Sequence, residues 1–470
     1  MLVVLGAFAL VLARWLPAGA RRPATIGAAA VFVLSGAALG VVGPRWQLAP
    51  VLVGAAIALP FALSPLLPRR GGRPARRARW WLALPGSAAC LALIAAGPVA
   101  AWALPVPVFP RPSGPFALGT SVLELTDARR PEPATAAAED RRVVVVQLWY
   151  PAQPGAADGR RARYLGGGTE REARIVSDGL ADYTGVPGFL LDGLGRARTH
   201  AVSGAPVAER GGRFPVVVFS PGLGGVRTQN TAWAEELASH GYVVAAVDHP
   251  YDSAAVVLAD GRVIRTEVTA TGDAAEDERR AAEWTAIRAA DLSFVRTELE
   301  RLARGETAGA LAGRLDADRI AAAGHSLGGG AALRAARQDP RFAAVIDLDG
   351  FPHDPAPAPY HQPVLALTQD IGPGTDPDYL PQLTRVLGLS TATTYRLTVP
   401  GAAHLTFTDA PLYLPPVPSL LGSLGRTEGL RTTAAASLAF LNATLRPAPT
   451  DPTAALSPYG HLTVHRPAPE

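Results

Sequence analysis

The chain has 470 residues, of which 48% are hydrophobic, 18% are charged and one is cysteine. A single cysteine excludes a disulfide scaffold and a Cys-rich zinc or iron–sulfur site, and so apolar a chain is not a largely disordered one. The net charge of +4 comes from arginine with no lysine, and many of those arginines fall between apolar runs, which points to a membrane rather than to nucleic acid.

From Met1 to about Pro110 the sequence reads as four apolar runs: Met1–Ala13, Ala24–Val42, Trp46–Pro68 and Trp80–Pro110. None contains Asp, Glu, Lys or Arg. A spanning helix needs about 20 apolar residues, so the last three runs are long enough and the first is short. Trp15, Trp46, Trp80, Trp81 and Trp102 stand near run ends, where interfacial anchors belong. A cleaved signal peptide would carry its charges before the apolar stretch, whereas Arg14 follows it.

The loops set the orientation. The first carries Arg14, Arg21 and Arg22, the second only Arg45, and the third Arg69, Arg70, Arg73, Arg76, Arg77 and Arg79. Positive loops stay cytoplasmic. The expectation is a multi-pass anchor over residues 1–110, about four helices, with everything after Pro110 on the extracytoplasmic side. The third loop fixes that side even if the first run does not span.

Pro105, Pro107, Pro110, Pro112 and Pro115 make a stiff exit that cannot continue a helix. A soluble domain is expected over residues 113–446, and a loose Pro-rich tail over 447–470. Phe116–Thr126 and Arg142–Tyr150 alternate as antiparallel edge strands do. Pro215–Ser220 and Tyr242–Asp248 are continuous apolar runs, as strands buried on both faces are. Helices are expected over Thr231–His240, Ala282–Ala303, Leu327–Arg337 and Thr432–Leu445. Further strands are expected over Arg319–Gly324, Phe342–Leu348, Pro363–Thr368 and Thr394–Val399. Strands alternating with helices predict an α/β fold with a doubly wound, mostly parallel sheet.

Gly324-His325-Ser326-Leu327-Gly328 fits G-x-S-x-G between an expected strand and an expected helix. That is the setting of a nucleophile elbow, where a tight turn lifts the serine hydroxyl clear of the sheet. A serine needs a base, and on this fold the chain order is Ser, acid, His. His404 lies just after the strand Thr394–Val399 and is the expected base, with His353 and His361 as weaker alternatives in a Pro-rich loop. Asp349 and Asp370, each ending a strand, are equal candidates for the acid. Asp347 lies within a strand and falls short of the site. Ser220-Pro221-Gly222-Leu223-Gly224-Gly225 follows a buried strand, where hydrolases place an oxyanion loop. The expected donors are the N–H groups of Leu223 and Leu327. Asp248-His249-Pro250-Tyr251-Asp252 is read as a loop packed at the pocket wall rather than a second acid–base pair. Leu412–Leu424 is read as an acyl-pocket lining, a bilayer contact or a loop packed on the domain. No H-E-x-x-H, P-loop or dinucleotide fingerprint occurs in a suitable context, so no metal and no cofactor is expected.

The soluble part resembles the platelet-activating factor acetylhydrolase family, plasma or isoform II type. The resemblance rests on segments taken in order: Gly114–Asp127, Val146–Ala152, Phe214–Gly225, Leu237–Asp252, GHSLGGG at Gly324–Gly330, LDGFP at Leu348–Pro352 and HLTFTD at His404–Asp409. It implies an α/β-hydrolase fold and hydrolysis of short or oxidised acyl esters of phospholipids without a metal. It also implies Asp349 as the acid, His404 as the base, and Leu223 and Leu327 as oxyanion donors. Pro221 departs from the family, which often has histidine there. The expectation is a serine ester hydrolase acting on small or lipid-like esters. The alternatives are an acyltransferase or peptidase using the same triad, and a non-catalytic membrane receptor on the same fold.

Overall fold

The structure is a computed structural model. It describes residues 1–43, 45–64, 66, 80–268, 271–354, 358–370, 372, 377–446 and 450–467. Two compact units result, Met1–Pro105 and Val106–Glu470.

Among the described residues, the first unit has four apolar α-helices: α1 (Leu2–Ala13), α2 (Ala18–Val42), α3 (Ala49–Leu63) and α4 (Trp80–Ala103). Among the described residues, three stretches are long and apolar enough to cross a membrane: Ala18–Val41, Trp46–Leu63 and Ala83–Ala103. The expectation of about four spans is thus reduced to three, because α1 has only 12 residues, about 18 Å at 1.5 Å per residue. Small residues let the helices approach closely. A Cβ at Gly6 would lie 2.8 Å from the Phe32 backbone, and one at Gly54 would lie 2.9 Å from the Cys90 carbonyl. Arg69, Arg70, Arg73, Arg76, Arg77 and Arg79 lie outside the described residues.

The second unit opens with β1 (Ala117–Pro131) and β2 (Arg141–Ala152), a long antiparallel pair. Then come β3 (Arg161–Arg163), α5 (Glu170–Thr184), β4 (Arg198–Ser203), β5 (Phe214–Ser220), α6 (Thr231–Ser239) and β6 (Val243–Asp248). A small hairpin, β7 (Ala255–Val257) and β8 (Val263–Arg265), precedes the 30-residue helix α7 (Ala274–Ala303). The second half runs β9 (Leu315–His325), α8 (Leu327–Gln338), β10 (Ala344–Leu348), β11 (Val364–Thr368), α9 (Tyr379–Leu387) and β12 (Thr394–Thr398). It closes with α10 (Pro418–Leu421), α11 (Glu428–Leu445), α12 (Pro452–Leu456) and β13 (His461–His465).

Among the described residues the main sheet has eleven strands in the order β13-β12-β11-β10-β9-β5-β6-β2-β1-β4-β3. Its centre, β6 through β12, is parallel, and both faces of it are covered. Every residue of β5, β6, β10 and β11 is buried. That accounts for their unbroken apolar sequences. The doubly wound, mostly parallel sheet agrees with the sequence reading.

The tail does not agree. Residues expected to be loose form α12 and β13, and β13 pairs antiparallel with β12 from Thr394–His465 to Thr398–His461. An unpaired β12 would leave a row of open N–H and C=O groups at the sheet edge. The alternation of His461-Leu462-Thr463-Val464-His465 covers it. Pro447, where the tail was expected to begin, lies outside the described residues.

Register brings the site loops together. Ser220 lies opposite Gly324, and Gly324 lies opposite Asp347. The segments after β5, β9 and β10 therefore emerge side by side at the carboxyl edge of the sheet, where such folds bind ligands.

Candidate active site

Ser326 stands between β9 and α8 with φ 55° and ψ −125°. Positive φ in a non-glycine residue is strained, at about 1–3 kcal/mol. The flanking glycines permit the turn: a Cβ at Gly324 would run into the Gly328 carbonyl, and one at Gly328 into those of Ser220 and Pro221. The Ser326 N–H donates to the Leu348 carbonyl at 3.0 Å, tying the turn to β10. The Leu327 N–H is the first of α8, where helical N–H groups lack intrahelical partners.

Asp349 follows β10, also at positive φ (52°), and is 4% exposed. Its Oδ2 meets His404 Nδ1 at 2.7 Å, and its Oδ1 accepts from the Gln369 N–H at 2.8 Å and the Tyr379 hydroxyl at 3.2 Å. Burial, and then the Asp349 charge, push the Tyr379 hydroxyl well above its ordinary pKa, which keeps it a donor. With Nδ1–H directed at Asp349, His404 presents Nε2 as an acceptor. Its side chain is 41% exposed. No side-chain hydrogen bond joins Ser326 to His404 among the described residues. Catalytic hydrogen bonds are often long in ligand-free structures and tighten with substrate.

The competing residues have other partners. Asp370 is exposed and accepts from the Gly401 N–H at 3.1 Å. His353 contacts Glu278 at 2.9 Å, and His361 contacts Thr391 at 2.9 Å. Asp347 is fully buried in β10, and its Oδ1 accepts from the Gly350 N–H at 2.9 Å. Burial and the neighbouring Asp349 charge raise the Asp347 pKa well above the carboxylate range.

The glycine loop after β5 lies against the serine. A Cβ at Gly222 would sit 3.6 Å from Ser326 Cβ. Gln229 Oε1 accepts from the Gly222 N–H at 3.2 Å, and its Nε2 lies 3.0 Å from His325 Nδ1. His325 Nε2 lies 3.0 Å from the His404 carbonyl. Burial, then the His404 ring beside it, drive the His325 pKa well down, so it bridges these loops as a neutral imidazole. Among the described residues the Leu223 N–H donates to no protein acceptor.

Below this loop lies a buried polar network that sequence reasoning missed. Its members include Arg142, Ser220, His249, Asp252, Arg288 and Asp291, each at most 1% exposed. His249 and Asp252 belong to the segment read as pocket wall; they lie beneath the glycine loop instead. The available signal was the charge of Arg288 and Asp291 on the buried face of α7, which also holds Arg296 among mostly apolar residues. Beside Leu223 a groove of about 530 Å3 is lined by Val268, Arg279, Glu283, Trp284 and Ile287. The Leu412–Leu424 stretch divides: Leu412 and Leu421 are buried, while Val417 and Leu420 are 40% and 50% exposed.

Residues 107–448 match the family model described as platelet-activating factor acetylhydrolase, isoform II. A platelet-activating factor acetylhydrolase of Cavia porcellus is 29% identical over 201 residues, covering 36% of this chain and 43% of that protein. An Arthroderma benhamiae protein named "Probable 1-alkyl-2-acetylglycerophosphocholine esterase" is 26% identical, covering 52% of this chain and 59% of that one. The chain thus spans about half the length of the curated relatives it matches. A solved ferulic acid esterase from Streptomyces cinnamoneus superposes with a TM-score of 0.60 at 32% identity, covering 76% of this chain and 98% of that one. The mostly parallel sheet, its flanking helices and these likenesses make the second unit an α/β-hydrolase fold, and the chain belongs to the platelet-activating factor acetylhydrolase, isoform II family.

Proposed function

We propose that the chain is a membrane-anchored serine carboxylic-ester hydrolase acting on short-acyl or lipid-like esters. The observation that carries this reading is the 2.7 Å contact of Asp349 with His404, beside a serine held at φ 55°. Ser326 Oγ attacks the ester carbonyl while His404 Nε2 takes its proton. The N–H groups of Leu223 and Leu327 receive the oxyanion. Collapse expels the alcohol, which takes the proton back from His404 and leaves an acyl-Ser326. Water, deprotonated by His404, attacks that ester; collapse releases the acid as Ser326 Oγ takes the proton back from His404. Asp349 holds the tautomer and stabilises the imidazolium.

The apolar helices of residues 1–103 serve as the anchor. The charge rule, applied to the arginine-rich first and third loops, supports an extracytoplasmic hydrolase unit.

The test is hydrolysis of p-nitrophenyl esters from acetate to octanoate by the full-length chain in detergent, beside Ser326→Ala. Loss of the nucleophile lowers kcat by about 10⁴–10⁶. Equal turnover by both proteins, or none by the folded wild type, refutes the reading.

A further inference from the structure

The glycine loop is gripped on both sides of Leu223 by one buried ion pair. Arg288 Nη2 donates to the Gly222 carbonyl at 3.0 Å, and Nη1 donates to the Pro221 carbonyl. Asp252 Oδ1 accepts from the Gly224 N–H at 3.3 Å. Arg288 and Asp252 meet each other through two hydrogen bonds, and both are 0% exposed. The carbonyl preceding Leu223 and the N–H following it are therefore fixed by the two ends of a single salt bridge.

Peptide geometry turns that grip into an orientation. The Gly222–Leu223 peptide is planar and trans, so its C=O and N–H point in opposite directions. With the carbonyl drawn down onto Arg288, the Leu223 N–H points away from the guanidinium. Gly222 is packed on Ser326. A cation on the carbonyl also polarises the peptide and strengthens its N–H as a donor.

Arg288 is itself braced. Its Nη1 lies 3.3 Å from Ser220 Oγ, which lies 2.9 Å from His249 Nε2. His249 Nδ1 lies 2.8 Å from Asp291 Oδ2, and Arg142 donates to the same carboxylate. Burial lowers the His249 pKa. As a neutral ring it donates from Nδ1 to Asp291 and accepts at Nε2 from the Ser220 hydroxyl, whose lone pairs then face Arg288. This second Ser–His–Asp string is wholly buried and acts as a strut.

We propose that Arg288, locked to Asp252, is the positioning residue of the oxyanion hole, aiming the Leu223 N–H at the carbonyl oxygen of the substrate. The proposal rests on the reading of Ser326 as nucleophile and Leu223 as donor.

The test measures kcat and KM for p-nitrophenyl acetate with the full-length chain in detergent. It also measures the inhibition constant of a trifluoromethyl ketone, which forms a tetrahedral adduct with a serine hydroxyl. Arg288→Lys keeps a cation against Asp252 but loses the fork that holds two carbonyls. The double variant Arg288→Met/Asp252→Asn removes both charges together, so neither is left buried and unpaired. It serves if the lysine variant does not fold. Expected is a fall in kcat of about 10–100-fold, the scale of a misaimed rather than absent donor. KM stays within about threefold, and ketone affinity falls in step with kcat/KM. A merely structural role lowers the unfolding midpoint without moving the ketone affinity of the folded protein.

Wild-type kcat and ketone affinity in either folded variant overturn the proposal, as does a change confined to KM. Ser326→Ala is run alongside. If it retains turnover, the hydrolase reading falls and takes the proposal with it. If it is inactive while folded Arg288→Lys behaves as wild type, the proposal falls alone.

Discussion

Ser326 is held in a backbone conformation that a serine adopts only under constraint, with φ 55° and ψ −125°. Glycine reaches that region without penalty. Ser326→Gly should therefore raise the unfolding midpoint relative to Ser326→Ala, by a stability difference of about 1–3 kcal/mol, while both variants are inactive. Calorimetry of the two side by side checks it, and equal midpoints would show that the turn stores no strain. Asp349 shares the positive φ, but its hydrogen bonds define its role. Asp349→Asn keeps the shape yet offers His404 Nδ1 an amide that stabilises the wrong tautomer, so kcat should drop by about 10⁴. Asp370→Asn should leave kcat within about twofold, since surface substitutions away from a site do little, and matching losses in the two variants would contradict the assignment of the acid. At this scale much was legible in the sequence: glycine spacing located the elbow, and chain order restricted the base to His404, His353 and His361. Spacing alone left Asp349 and Asp370 equal, because each ends a strand of the same parallel run. Their separation depends on loop geometry that no local pattern encodes. Arg288 was illegible for a related reason, since a charged residue on an apolar helix face shows a need for partners without naming them.

Elements were read best where hydrophobic pattern decides structure, and least well where capping or edge pairing does. The expected strands β5, β6, β9, β10, β11 and β12 are all present, because strands buried on both faces announce themselves by composition. Helix α7 begins eight residues earlier than its apolar stripe, at Ala274 rather than Ala282. Asp273 caps it by accepting from the Glu276 N–H at 2.9 Å, and Arg279 and Arg280 pair with Glu276 one turn away. Charged pairs sustain that first stretch where burial does not. The tail was misread because proline suggested looseness, while its work lies in one buried leucine and one edge strand. Leu456 is 0% exposed and belongs to the core on one face of the sheet. Leu456→Ala should lose about 2–5 kcal/mol in chemical denaturation. A change below about 0.5 kcal/mol, the level of a surface site, would mean that α12 and β13 are not docked in solution. A catalytic unit cut at Arg446 would lose the same contacts and bare the β12 edge.

For the whole molecule, the arrangement proposed is a hydrolase carried beside a lipid surface by its own anchor. In that arrangement confinement would raise the effective concentration of membrane esters at the site. The arginine pattern is the basis of the proposed side, whatever the number of spans. With the short α1 excluded, the proposed orientation has α2 leaving the cytoplasm, α3 returning and α4 leaving again, with the third loop inside and residue 106 onward outside. A single-cysteine experiment tests this directly. The natural Cys90 is buried in α4 and gives little background. Asp260, whose side chain is 51% exposed in the turn between β7 and β8, offers a reporter. In intact cells expressing Asp260→Cys, a membrane-impermeant maleimide should label the protein to the extent seen after permeabilisation. Labelling that appears only after permeabilisation would place the hydrolase in the cytoplasm, where the arginine-rich loops would then have to lie on the outer face against the charge rule.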